Sequence, residues 1–227
     1  MTHEHSTPDA ATAPVRAHEN EEHGPGTYTT RHHKNKHESW GSIASTITAL
    51  LIAPLIAVFL TAFVFQSYQV DGASMQTTLY NNDRLIVWKV PKTWSKLTGN
   101  PYIPNRGDVV IFVENQLTAY GQEPGKQLIK RVIALPGERV VIKDNTVTVF
   151  NKEHPKGFNP DKTLPYGKVI PSTAGDADII VPKNQVYVLG DNRGDSTDSR
   201  IFGPVNASDI VGKLVLRIWP AGSMKAF

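Results

Sequence analysis

A chain of 227 residues has room for one membrane segment and one domain, with at most a small sub-lobe. Its formal net charge is only +3, and its Lys and Arg residues are dispersed, which implies no nucleic-acid partner. It contains no cysteine, so disulfides, thiol catalysis and Cys-based zinc sites are excluded, and either redox compartment suits it.

Residues 1–38 hold few large apolar side chains and are rich in His, Glu, Thr and Pro. They cannot bury enough surface to offset chain entropy, so the sequence predicts a disordered tail. Seven of the eight histidines lie here, at 3, 5, 18, 23, 32, 33 and 37. They read as a solvated polar tail, with metal binding as the rival reading. From Ser39 to Val70 there is no charged residue, and Ile43–Phe65 is a 23-residue core of Ile, Leu, Ala, Val and Phe with a few Ser and Thr. As a helix it would span about 34 Å, enough to cross a hydrocarbon core of about 30 Å. Pro54 is tolerable in a membrane helix, and Trp40 and Tyr68 stand where interfacial aromatics would. The run is too long for a cleavable signal sequence, and residues 39–66 are therefore expected to form a retained transmembrane anchor. Arg31, Lys34 and Lys36 precede the run, whereas no Lys or Arg follows it until Arg84. That asymmetry puts the tail in the cytoplasm and residues 67–227 outside, in a single-pass protein of the cell membrane.

Beyond the anchor, short runs rich in Val, Ile and Leu predict strands at Asp83–Val90, Gly107–Val113, Gln127–Ala134, Arg139–Lys143, Thr146–Phe150, Gln185–Leu189 and Ile210–Trp219. Turn formers separate them: Asn105-Arg106-Gly107, Leu135-Pro136-Gly137 and Asp144-Asn145. No amphipathic helix of ten residues stands out. The expected fold is mostly β: an open, antiparallel, barrel-like core preceded by one transmembrane helix. Residues 151–177, rich in Pro, Gly, Lys and Asp, are long for a loop and predict a small inserted lobe.

Three stretches could carry chemistry. Val70–Leu79 sets Ser74 beside Gly72 and Ala73, small residues that let a substrate backbone come close. Gly-x-Ser in a turn is also a common structural feature. A Ser-His-Asp triad needs a histidine, and the folded body offers only His154, inside the polar insertion. No cluster with metal-ligand spacing is present. A nucleophilic Ser74 would therefore take a lysine as its base. A lysine is a base only when neutral, and with an unperturbed pKa near 10.4 only about 0.04% is neutral at pH 7. Burial among apolar side chains lowers that pKa. In Gln127–Ala134 alternation puts Lys130 on one face with Leu128, Val132 and Ala134, and puts Ile129, Arg131 and Ile133 on the other. An edge-strand lysine that guards against aggregation is the plainer reading, and Lys89 and Lys143 also sit in strand-like runs. The third stretch, Gly190–Arg200, holds three Asp, two Arg and two Ser. It is either a decorated turn, with calcium as one ligand it could take, or the brace of an active site built on a buried Asp–Arg network.

Taken together, Gly72-Ala-Ser-Met75 through Thr78-Leu79, Gly107-Asp-Val-Val110, Lys130–Gly137 and Gly190-Asp-Asn-Arg with Ser196-Thr-Asp-Ser-Arg200 resemble the bacterial type I signal peptidases (leader peptidases). These are membrane-anchored Ser-Lys endoproteases, and the resemblance covers about residues 43–220. It implies Ser74 as nucleophile, Lys130 as general base, Ser196 as the hydroxyl that orients the lysine, and Asp198 with Arg200 as a supporting ion pair. It also implies part of an oxyanion hole at the Ser74 backbone N–H. Gly72 stands where some relatives carry a serine whose hydroxyl completes that hole, and Thr77 stands where proline is usual.

The implied substrate is an exported preprotein, cut after small residues at −3 and −1 and paired as an added strand beside Asp71–Ser74 and Gln127–Lys130. Val70, Met75, Leu79, Leu128 and Ile129 would shape the pockets, no cofactor is implied, and the lipid bilayer is the other partner. Two alternatives remain at this point. One is a self-cleaving Ser-Lys repressor relative, which the anchor and the tail's charge contradict. The other is an anchored, non-enzymatic β-domain that binds exported peptides.

Overall fold

The computed structural model describes residues 38–115, 125–166, 170 and 172–227. The expected disordered tail lies outside these residues, apart from Glu38 at its end. The chain divides into Met1–Thr46, of which only the start of the first helix is described, and Ile47–Phe227. That helix, α1, runs Glu38–Phe59 and continues as a π-helical turn over Leu60–Val64. Ile43–Val64 is 22 residues long with a mean hydropathy of 2.6. Every side chain from Ile43 to Phe63 is exposed, and the helix is long and apolar enough to cross a membrane. The apolar run ends earlier as a helix than expected: Phe65–Gln69 is already a strand, β1, paired over five residues with β2, Arg84–Trp88.

Val109–Glu114, β3, explains the layering of the main sheet. All but one of its side chains are buried, so both of its faces are covered. Val110 and Phe112 join one cluster with Val132, Val186, Val188 and Ile210, while Val109 joins another with Val70, Met75, Leu79, Leu85 and Leu214. Strand alternation is what sends successive residues to opposite cores. The neighbours of β3 are β4, Lys126–Ala134, and the long strand β10, Ile210–Trp219. Beyond β4 come β8, Gln185–Leu189, and the short β9, Val205–Asn206, giving the order β1-β2-β10-β3-β4-β8-β9. A two-residue strand, β11 (Lys225–Ala226), adds to β10. All pairs are antiparallel, and β1 and β9 do not meet, so the sheet is open.

A second, three-stranded sheet has the order β6-β5-β7, with β5 at Arg139–Lys143, β6 at Thr146–Phe150 and β7 at Ala177–Ile180. The β5–β6 turn places Asp144 and Asn145 at φ 50° and 57°, the left-handed pair that a two-residue hairpin needs. The second sheet thus takes β5 and β6 from ahead of residue 151 and β7 from the end of the predicted insertion. Other features also depart from the expected pattern. Val90–Thr98 is a helix, α2, stopped by Gly99 at φ 72°. On β4, a register shift against β8 between Val132 and Ala134 breaks the expected alternation. Ala134 therefore packs with Ile133, not with Val132.

Candidate active site

The serine sits in a turn that its own buried side chains hold down. Leaving β1, the chain passes Gly72 at φ +104°, and the segment coils so that Gln76 N donates to Ala73 O (3.0 Å) and Leu79 N to Met75 O (2.8 Å). Met75 and Leu79 are fully buried beneath the turn in the cluster with Val70 and Leu85. With those two facing inward, Ser74 is left near the surface. Its backbone N–H makes no hydrogen bond among the described residues, whereas Gly72 N–H is engaged by Asn81 Oδ1 at 3.0 Å.

Lys130, at mid-strand in β4, reaches this turn: its Nζ lies 2.8 Å from Ser74 Oγ and donates to Ile129 O at 3.0 Å. The side chain is buried, and burial is the largest influence on it, lowering its pKa to about 8; the carboxylates of Asp198 and Asp191 oppose that and Lys126 adds to it. The other candidate lysines lie elsewhere. Lys89, just before α2, donates to Thr61 O and Gln66 Oε1, and Lys143 ends β5 in the second sheet.

The stretch after β8 braces both groups. Asn192 N–H donates to Ser74 O at 3.0 Å, and its side-chain amide donates to Ala73 O at 3.2 Å. Asp191 takes a two-pronged ion pair from Arg131, Nε to Oδ1 at 2.8 Å and Nη2 to Oδ2 at 2.6 Å, and both side chains are buried. Arg131 stacks over Tyr166, its guanidinium carbon 4.3 Å from the ring centroid. Asp198 is fully buried and accepts from Gly190 N at 3.0 Å and from Arg200 Nε at 2.8 Å, while Arg200 Nη2 donates to Arg193 O. Asp198 and Arg200 therefore shape the stretch itself. Ser196 Oγ is buried with no hydrogen-bond partner among the described residues, while Lys130 Nζ donates to the Ile129 carbonyl. Both Ser196 Oγ and the Ser74 carbonyl lie against Gly190, where a Cβ would stand 2.5 Å from Ser74 O.

A cleft of about 460 Å³ opens beside Ser74 and Lys130. Val70, Asp71, Leu128 and Ile129 line it, whereas Met75 and Leu79 lie in the core below and do not. Its two long walls are Gln69–Ser74, which leaves β1 and bends at Gly72 into the serine turn, and Lys126–Lys130 of β4. Sequence reasoning passed over Asn192, Gly190 and Arg193 as individuals, although each falls in a motif it had singled out. Asp161, which pairs with Arg193 at 2.5 Å from helix α3 (Pro160–Thr163) of the small lobe, left no signal.

An apolar helix thus precedes an open β-sheet domain in which a serine and a buried lysine meet beside a cleft. The family model described as signal peptidase, peptidase S26, matches residues 43–219. The chain is 35% identical over 184 residues to signal peptidase I P of Bacillus subtilis subsp. natto, covering 79% of this chain and 90% of that one. It is 31% identical over 192 residues to signal peptidase IB of Staphylococcus aureus strain COL, covering 81% and 93%. A crystal structure of a signal peptidase I from Enterococcus faecalis V583 also matches, with 28% identity and a TM-score of 0.36, over 50% of this chain and 97% of that one. The chain belongs to the peptidase S26 family of signal peptidases and is a serine endopeptidase. Membership selects the enzyme over the non-enzymatic peptide binder.

Proposed function

We propose that this enzyme removes signal peptides from exported preproteins, with Ser74 as nucleophile and Lys130 as general base. The observation that carries the assignment is the 2.8 Å approach of Lys130 Nζ to Ser74 Oγ in a setting where burial lowers the lysine pKa to about 8. At that pKa about one enzyme in ten holds a neutral lysine at pH 7, roughly two hundred times the fraction for a free side chain. The neutral amine takes the Ser74 proton as Oγ attacks the scissile carbonyl, giving a tetrahedral intermediate whose oxyanion faces the Ser74 backbone N–H. Collapse expels the new amino terminus, which takes the proton from Lys130. Water, deprotonated by the same amine, then hydrolyses the acyl-enzyme.

The substrate lies between the two cleft walls, with Val70, Leu128 and Ile129 favouring small side chains at −3 and −1. By its charge flanks the protein crosses the membrane once, with the amino terminus inside and the catalytic domain outside. The test is cleavage of a preprotein with an Ala-x-Ala site by the detergent-solubilised full chain. Ser74→Ala and Lys130→Met are expected to abolish cleavage while melting cooperatively. Cleavage by Lys130→Met at the wild-type rate would remove the base assignment.

A further inference from the structure

Helix α2 is built inside out. Three of its polar side chains face the protein: Lys92 Nζ donates to Ser208 O at 2.9 Å, Thr93 Oγ1 donates to Phe63 O at 3.1 Å, and Ser95 Oγ accepts from Tyr102 N at 3.1 Å. Trp94 and Leu97, three residues apart and so on one face, point away and are 64% and 79% exposed. A helix on a water-facing domain shows the reverse arrangement, with its apolar stripe inward. None of the nine residues is buried, so packing does not explain why this helix carries a tryptophan and a leucine at those positions.

Its place in the chain supplies the reason. Lys89 N donates to Val64 O at 2.8 Å, and with the Thr93–Phe63 bond this ties the start of α2 to the last turn of the apolar span. The start of α2 therefore lies against the point where the span ends and the domain begins, and its exposed Trp94 and Leu97 follow within eight residues of that point. Tryptophan favours this zone because its ring is apolar and its N–H is polar.

We propose that α2 is an interfacial helix, with Trp94 and Leu97 seated in the headgroup–acyl boundary of the leaflet from which Ile43–Val64 emerges. The domain then has two lipid contacts, the span and α2, which hold the cleft at a fixed height and tilt over the membrane where a lipid-embedded substrate is presented. Membrane lipid is the occupant, rather than a peptide or a second copy, because backbone and side-chain hydrogen bonds fix this face to the span's end. The inference rests on the reading of Ile43–Val64 as a membrane span and not on the roles of Ser74 and Lys130.

The test uses the full chain in vesicles of phosphatidylethanolamine and phosphatidylglycerol, with Trp40, Trp88 and Trp219 replaced by Phe so that Trp94 is the one emitter of the four tryptophans. Brominated phospholipid is expected to quench Trp94, and its emission to shift to shorter wavelength than in water. In a chain that keeps the other three tryptophans, Trp94→Phe should remove the same quenched component. Trp94→Ser with Leu97→Ser should leave cleavage of a short soluble peptide unchanged and slow cleavage of a lipid-embedded preprotein by about threefold or more. Quenching by aqueous acrylamide instead of lipid would overturn the proposal, as would protection that develops only on adding substrate or at high protein density. Alkaline extraction of the same vesicles reports on the span separately: release of the protein would overturn the span reading and the proposal with it.

Discussion

Lys130 is unfavourable for the fold it serves. Burial disfavours its charged form, lowering its pKa from the usual 10.5 to about 8. Between those values the unfolded chain binds more protons than the folded one, so stability rises with pH across the window and is flat below it. At pH 7 the penalty is on the order of 3 kcal/mol. Lys130→Met should therefore melt higher than wild type at pH 7, and the gap should close as pH rises toward 10.5. The same titration sets activity: kcat/KM on a short peptide should climb with pH and level off above about 8. A profile flat from pH 6 to 9 would mean that the lysine does not titrate in the rate-limiting step. Gly190 is the second residue whose identity is dictated by space. A Cβ there would meet the Ser74 carbonyl and Ser196 Oγ at once, and the carbonyl is backbone that cannot swing aside. Gly190→Ala should displace Ser74 from Lys130 and cut kcat by about a hundredfold, the usual result of a misplacement near 1 Å, with a smaller effect on KM. Wild-type kcat in that variant would show that the turn yields without moving the nucleophile.

The elements that sequence pattern revealed are those whose burial is strongest. Val109–Glu114 is apolar almost throughout because both its faces are covered, and the Asp144-Asn145 turn carries its own left-handed geometry. The hidden elements lacked such a mark. Phe65–Gln69 follows the apolar run without a break and is an edge strand that alternates exposed and half-buried, so its start is masked by the span. Helix α2 turns its apolar residues outward, and its periodicity therefore points to no core. In the site, Ser74, Lys130 and the Asp198–Arg200 pair lie in dense motifs, whereas Asp161 is 32 residues from the arginine it meets. Its importance is a matter of packing between elements. Arg193 is almost wholly buried; its Nε donates to Gly190 O at 3.0 Å and its other nitrogens bond Asp161 and Thr173. The small lobe thus grips the stretch that carries Asn192 against Ser74. Asp161→Ala leaves that guanidinium buried without a carboxylate and should cost about 3–5 kcal/mol in a thermal or urea melt. Its effect on cleavage should fall on kcat more than KM, because the cleft walls do not include it. A melt within 1 °C of wild type would show that water replaces the carboxylate.

At the scale of the molecule, the question is where the exposed apolar helix ends and the catalytic domain begins. The boundary lies between Val64 and Phe65. Residues up to Val64 meet the domain through few hydrogen bonds, from Lys89 N, Lys89 Nζ and Thr93 Oγ1, each contributing about 1 kcal/mol or less at an exposed site. Phe65–Gln69 instead pairs along all five residues of β2, on the side away from β10, and Val70 directly after it is buried in the cluster under the serine turn. A chain beginning at Phe65 should therefore fold, melt within a few degrees of the solubilised full chain, and cleave a short peptide at a similar rate, while losing rate on a lipid-embedded preprotein. A chain beginning at Val70 should behave differently despite lacking only five more residues. It leaves β2 as an unpaired edge, which invites pairing between copies, and it removes the strand that leads into the turn. Aggregation in gel filtration and loss of peptide cleavage are the expected result. If the two truncations melt and cleave alike, β1 is dispensable, and the serine turn is held by Met75, Leu79 and Asn192 without it.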